Sequence, residues 1–297
     1  MTKQTAWAAR VAWTLTAIAG ALVLAAGLLV RDAPTGVPGL EVATAEDVVD
    51  AILYLAFPLV GALLVSRDPR NLFAWAFSAV GVCFEASIFA GSYATYGTFT
   101  HPGALPAPQL LSLASDVFFV PALVLAVTLV PLLYPTGRPP TRRWWLVGAA
   151  AVASIVLAAT SMAIRPGPVD EDVTNSGENP LGIGGAAGVA DALALLGLAL
   201  LLLAAIGSAA AVTVRFRRST GRTRRQLRTF LFGGAVLFGV IFLPVDLVGV
   251  EGEAAEVALA VVGILALPVA VAAALVSSTR RSARTGARLG EAGGPAV

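Results

Sequence analysis

The segment VADALALLGLALLLLAAIGSAAAVTV, Val189–Val214, holds one charge, Asp191, and RFRRSTGRTRRQLR, Arg215–Arg228, follows it at once with seven arginines. A hydrocarbon core about 30 Å thick is crossed by about 20 apolar residues in a helix, a form that satisfies its own backbone hydrogen bonds in lipid. The step from uninterrupted hydrocarbon to dense positive charge therefore reads as a membrane span meeting a head-group region.

The rest of the chain repeats this pattern. Of its 297 residues 57% are hydrophobic and 13% charged, against roughly a quarter charged in soluble domains, which places the chain in the membrane class. Eight stretches reach spanning length: Val11–Val30, Val48–Ser66, Leu72–Tyr93, Leu111–Tyr134, Trp144–Ile164, Val189–Val214, Thr229–Val250 and Val257–Ser277. None alternates with the two-residue period of a membrane β-strand. The expected fold is all-α, a polytopic membrane helical bundle over residues 1–277, with a short basic tail over 278–297 expected to be disordered. Pro58, Pro121, Pro131, Pro244 and Pro268 fall inside these spans, where each removes a backbone donor and favours a kink.

Charge sign alternates between successive junctions. Lys3 and Arg10, then Arg67 and Arg70, then Arg138, Arg142 and Arg143, then the Arg215–Arg228 segment, then Arg280, Arg281, Arg284 and Arg288 mark one side. Glu41, Glu46 and Asp47, then His101, then Asp170, Glu171, Asp172 and Glu178, then Glu251, Glu253 and Glu256 mark the other. Positive residues concentrate on cytoplasmic faces, so both termini are expected in the cytoplasm of a multi-pass protein of a bacterial plasma membrane. The alanine-, glycine- and arginine-rich composition, with Lys3 as the only lysine, is that of a GC-rich bacterial genome. The first segment has the basic start of a secretory signal, but its apolar run of about 20 residues exceeds a signal core. Trp7, Trp13, Trp75, Trp144 and Trp145 lie near span ends on the arginine side, where an indole is half buried with its N–H in the wet interface.

Several function classes lose their means. Cys83 is the only cysteine and His101 the only histidine, which excludes an intramolecular disulfide, a cysteine zinc site and most histidine-based hydrolase triads. No catalytic residue, cofactor or metal is expected. Gly182, Gly184 and Gly185 superficially resemble a dinucleotide fingerprint, but no strand precedes them and a membrane helix follows. No junction exceeds about 25 residues, too few for a soluble ligand-binding or catalytic domain.

Two sets of residues stand out. A carboxylate inside a span is costly and ordinarily faces a bundle interior or water; Glu85 is the deepest, with Asp116 on the next span at comparable or shallower depth. They form a candidate intramembrane polar pocket for a cation, proton or basic ligand. With no basic side chain inside any span, a neutral Glu85 is expected. Asp50, Asp191 and Asp246 lie nearer the outer helix ends. The second set, Arg215, Arg217, Arg218, Arg222, Arg224, Arg225 and Arg228, is a candidate contact for anionic lipid or for a cytoplasmic partner. Nucleic acid is not the expected partner, since aromatic interleaving is limited to Phe216.

Four junctions taken in order resemble the N-terminal membrane-sensing region of actinobacterial sensor histidine kinases. They are Asp68-Pro69-Arg70-Asn71-Leu72-Phe73-Ala74-Trp75, then the run from Leu133-Tyr134-Pro135-Thr136-Gly137-Arg138 through Trp144-Trp145, then Asn179-Pro180-Leu181-Gly182, and last Arg215-Phe216-Arg217-Arg218 through Arg224-Arg225-Gln226-Leu227-Arg228. The likeness covers about residues 50 to 275. It implies a sensing bundle that signals to a kinase. Family members continue into a dimerising helix with a phosphoacceptor histidine and an ATP-binding domain, whereas here about twenty residues follow the last span, without a histidine. The resemblance therefore implies a sensing module without kinase output, non-enzymatic, and partnered by a separate kinase or regulator. The alternative from another class is a small-solute or ion transporter or channel using Glu85 and Asp116; no inverted repeat of the kind such proteins carry is visible.

Overall fold

The computed structural model of the chain describes residues 3–32, 37, 51–170, 173–242 and 261–274. Among these residues the structure is all-α, with Pro168 and Glu178 forming an isolated extended bridge. The helices are α1 (Lys3–Leu29), α2 (Ala56–Arg67), α3 (Leu72–Thr95), α4 (Pro108–Val127), α5 (Leu129–Leu133), α6 (Trp145–Ile164), α7 (Ala187–Arg218), α8 (Gly221–Phe242) and α9 (Val261–Ala274). Five continuous helical stretches are long and apolar enough to cross a membrane: Thr5–Leu29, Leu72–Thr100, Pro108–Leu133, Arg142–Ile164 and Ala187–Arg218. Two shorter apolar helices, Ala51–Arg67 and Val261–Ala274, accompany them. Leu195, Leu203 and Ile206 on α7 are 68%, 63% and 68% exposed, a surface that hydrocarbon satisfies and water does not.

Helix ends depart from the hydropathy boundaries because a helix continues wherever its backbone bonds continue, whatever its side chains. α1 starts at Lys3, α3 runs on through a π-type turn over Tyr96–Thr100, and α7 carries its last turn into Arg215, Arg217 and Arg218. Prolines interrupt two of the expected spans. Residues 51–54 are helical, Leu55 is a turn and α2 begins at Ala56, because Pro58 has no N–H to donate back to residue 54. The Leu111–Tyr134 span divides at Thr128, whose backbone leaves the helix and whose hydroxyl donates to the Val124 carbonyl at 2.5 Å. Pro131 lies three residues on, where the helical bond is again missing. Residues 243–250 of the Thr229–Val250 span, the ends of the Val257–Ser277 span, the start of the Val48–Ser66 span and the 278–297 tail lie outside the described residues.

α3 is the hub of the first compact unit, which reaches Arg218, and α1, α2 and α4 all pack on it. α6 and α7 form a long antiparallel hairpin that joins the others through α4. Without a hydrophobic drive between helices in lipid, close packing depends on small side chains. A methyl group at Gly61 would stand 2.7 Å from Ser78 Cβ, and one at Gly81 would overlap the Pro58 ring. Phe57, Phe73 and Phe77 fill the space beside this contact, with Phe57 and Phe77 ring centres 4.9 Å apart. In the second unit, from Ser219, Gly233 of α8 abuts Ala266 and Ala270 of α9 in the same manner.

Gly81→Ala is expected to lower the unfolding temperature of the detergent-solubilised protein, losing about 1–3 kcal/mol to overpacking. Gly20→Ala, at a site with no neighbouring atom within 4 Å, is expected to leave it unchanged. Equal melting of the two variants in a thermal scan contradicts the close α2–α3 approach.

Candidate functional site

Two loops and one arginine interlock at the arginine-bearing end of the first unit. Between α2 and α3, the Asp68 carboxylate accepts from the Arg70 N–H at 3.1 Å, and the Trp75 indole donates to the Pro69 carbonyl at 3.0 Å. Asn71 caps α3, its side-chain oxygen accepting from the Phe73 N–H at 3.1 Å, the usual role of asparagine before a helix. After α5 the chain passes through a cis Tyr134–Pro135 bond, and the Gly137 N–H returns to the Leu133 carbonyl at 2.8 Å. Gly137 has φ +72° and its Cα lies against the Asn71 side chain, which a methyl group would overlap. Both the left-handed backbone and the close approach need glycine. The Tyr134 ring meets Phe73 edge-on with centroids 5.1 Å apart.

Arg215, from the last turn of α7, ties this assembly together. One guanidinium nitrogen donates to the Tyr134 carbonyl and the other to the Arg138 carbonyl. A planar fork with separate donors suits two carbonyls that no helix or sheet satisfies. Segments that are neighbours in the sequence likeness, 68–75, 133–145 and the start of 215–228, are thus one contact network in space. Arg215 is half-buried, whereas Arg217, Arg218, Arg222, Arg224, Arg225 and Arg228 are exposed. Of the seven arginines taken together in the sequence, the first is structural, the next two end α7, and the last four sit on α8.

Glu85 is fully buried on α3, and neither carboxyl oxygen has a hydrogen-bond partner among the described residues. It lies one turn beyond Gly81 and two beyond Ser78, on the face that meets α2. Ser87, two residues later, points about 160° away at 3.6 residues per turn. It belongs to the α4 contact, where the Ser115 hydroxyl donates to the Ser87 carbonyl at 2.9 Å. Asp116 follows Ser115 and is exposed. Glu85 is thus interior and Asp116 exposed, and no hydrogen bond joins them among the described residues. Helix rotation decides this, and uniformly apolar sequences carry no periodic signal of rotation. The other acidic positions at span edges divide: Asp50 and Asp246 fall outside the described residues.

At the opposite end, Asp191 pairs with Arg165 at 2.7 Å, both side chains being partly exposed. Arg165 is a basic residue in an otherwise acidic junction, a departure from strict charge alternation that marks the pair. Asn179 performs the counterpart of the Arg215 role. Its amide nitrogen lies 3.0, 3.3 and 2.7 Å from the carbonyls of Met162, Ala163 and Arg165 at the end of α6, and its oxygen accepts from the Leu181 N–H at 3.0 Å. Gly182 lets the loop lie against the Arg165 carbonyl. The glycine cluster is thus a helix-end plug leading into α7, with no strand before it. His101 is exposed after the π-type turn, its ring 4.9 Å from that of Tyr96. Among the described residues no three or more histidine, cysteine, aspartate or glutamate side chains form a metal-binding group.

Comparison of the chain with protein-family models, curated proteins and solved structures gives no match.

Arg215→Gln is expected to destabilise the first unit by about 1.5–3 kcal/mol, the worth of hydrogen bonds made by a charged donor. Arg215→Lys is expected not to restore it, since a single ammonium does not reproduce the fork. Arg217→Gln is expected to stay within about 0.5 kcal/mol of the parent. Thermal unfolding in one detergent checks the ranking; equal effects at positions 215 and 217 contradict it.

Proposed function

We propose that the protein is a non-enzymatic membrane signalling component, a sensing module related to the membrane part of sensor histidine kinases, with a cytoplasmic kinase or regulator as partner. The observation that supports this reading is the convergence of three of the four likeness segments, separated by more than 55 residues in sequence, on the Asn71–Gly137–Arg215 network. On this reading the arginine-bearing end is cytoplasmic in a bacterial plasma membrane, and the exposed Arg217 and Arg218 belong to the docking region.

A stimulus acting on the bundle reaches that end through α7, whose last turn holds the loops through Arg215. A small shift or rotation of α7 moves the Tyr134 and Arg138 carbonyls with it, a packed coupling of the kind that converts helix motion into an altered surface. Transport is the second reading, favoured by Glu85, a buried carboxyl with no partner among the described residues. With Glu85 interior and Asp116 exposed, it has less support than signalling has.

A photoreactive residue placed at Thr220, exposed between α7 and α8, is expected to capture a kinase or response regulator in living cells. Capture of lipid alone, together with an ion or solute flux in liposomes that Glu85→Gln abolishes, contradicts the signalling reading in favour of transport.

A further inference from the structure

Two cavities at the arginine-bearing end share a wall. The first, of about 600 Å³, is bounded by Arg70 before α3, Arg138 and Arg142 after α5, and Trp145 at the start of α6. The second, of about 650 Å³, begins at the same Trp145 and continues along α6 past Leu129, Gly148, Val152 and Val156. Its walls are entirely apolar. Among the described residues no acidic side chain lines either cavity, and no ion pair or side-chain hydrogen bond holds the three guanidinium groups.

The two differ in chemistry as the two parts of a phospholipid do. Guanidinium groups bind phosphate oxygens in forked geometry, and three arginines line one space here from two separate loops. Those loops are already fixed, by Asn71 against Gly137 and by the Arg215 bond to the Arg138 carbonyl, so ordering them for a ligand costs little. From Trp145 to Val156 the groove rises about 16 Å at 1.5 Å per residue, close to the depth of one leaflet, about 15 Å. It is open because α6 presents Gly148 and Ala149 there, with Gly148 close under Leu129.

We propose that these cavities form a binding site for one anionic phospholipid, its phosphate held by Arg70, Arg138 and Arg142 and an acyl chain lying along α6 from Trp145 to Val156. Charge complementarity selects an anionic over a zwitterionic head group. Continuity with an apolar groove inside the span selects a lipid over a free phosphate, which would use the first cavity alone. The site is independent of whether the chain signals, and its occupant would brace the same loops that Arg215 holds.

The test is native mass spectrometry of the full chain released from nanodiscs containing phosphatidylglycerol and phosphatidylcholine in equal amounts. One phosphatidylglycerol is expected to be retained with a preference of about tenfold or more. The combined Arg70→Gln, Arg138→Gln and Arg142→Gln variant is expected to lose that preference, while Arg217→Gln with Arg218→Gln keeps it. Ala149→Trp, which places a ring in the open groove and leaves the interior untouched, is expected to lower retention and decides the matter should the triple variant not fold. Unchanged preference in the triple variant overturns the proposal. So does retention that Ala149→Trp leaves intact and inorganic phosphate displaces, the behaviour of a free-anion site.

Discussion

Carbonyl oxygens released where a helix stops must find donors, because hydrocarbon offers none. In this protein Arg215 meets that need across the longest stretch of sequence. The chain leaves α5 at Tyr134, and the carbonyls of Tyr134 and Arg138 accept from the guanidinium group at the end of α7, about 80 residues on in sequence. The same constraint recurs elsewhere. Asn179 donates to the carbonyls at the end of α6, and the Asn71 side chain accepts from an unpartnered amide in the first turn of α3. Each of these side chains sits at an interruption, and each has the hydrogen-bond capacity that its interruption leaves open.

Fixing the ends allows the interior to be simple. Between them the helices touch through glycine, alanine and serine, with a few phenylalanines filling the layer around Phe57 and Phe77. The outward faces carry leucine and isoleucine that stay exposed among the described residues. Glu85 is the exception within this interior, a carboxyl on the α2-facing side of α3 without a hydrogen-bond partner among the described residues. A buried polar group of that kind is costly wherever it is structural, which is why it keeps transport in view as the second reading.

The fold class was legible from composition, because a span is a matter of length and apolarity and both are properties of the sequence alone. The helix ends were less so: hydropathy does not register that Pro58 breaks the helix at Leu55 or that the Thr128 hydroxyl closes α4 early. Nor could sequence separate Arg215 from Arg217, since one arginine is as suitable an anchor as another until the chain supplies carbonyls for one of them. That Glu85 is interior and Asp116 exposed was hidden for a related reason. Depth along a helix is countable from its start, whereas facing depends on rotation, and α3 is apolar on every side. Arg165 was visible as the one cation in an acidic junction, but its partner Asp191 lies across a folded loop.

The central claim is that Arg215 holds the 68–75 and 134–141 segments as one structure. Hydrogen–deuterium exchange of the protein in nanodiscs tests it directly, with peptides covering the Phe73 and Gly137 amides, which bond to Asn71 and Leu133. In Arg215→Gln both segments should lose protection together while α1 and the middle of α6 keep theirs. Unchanged protection in both segments, or loss confined to the end of α7, would contradict the account.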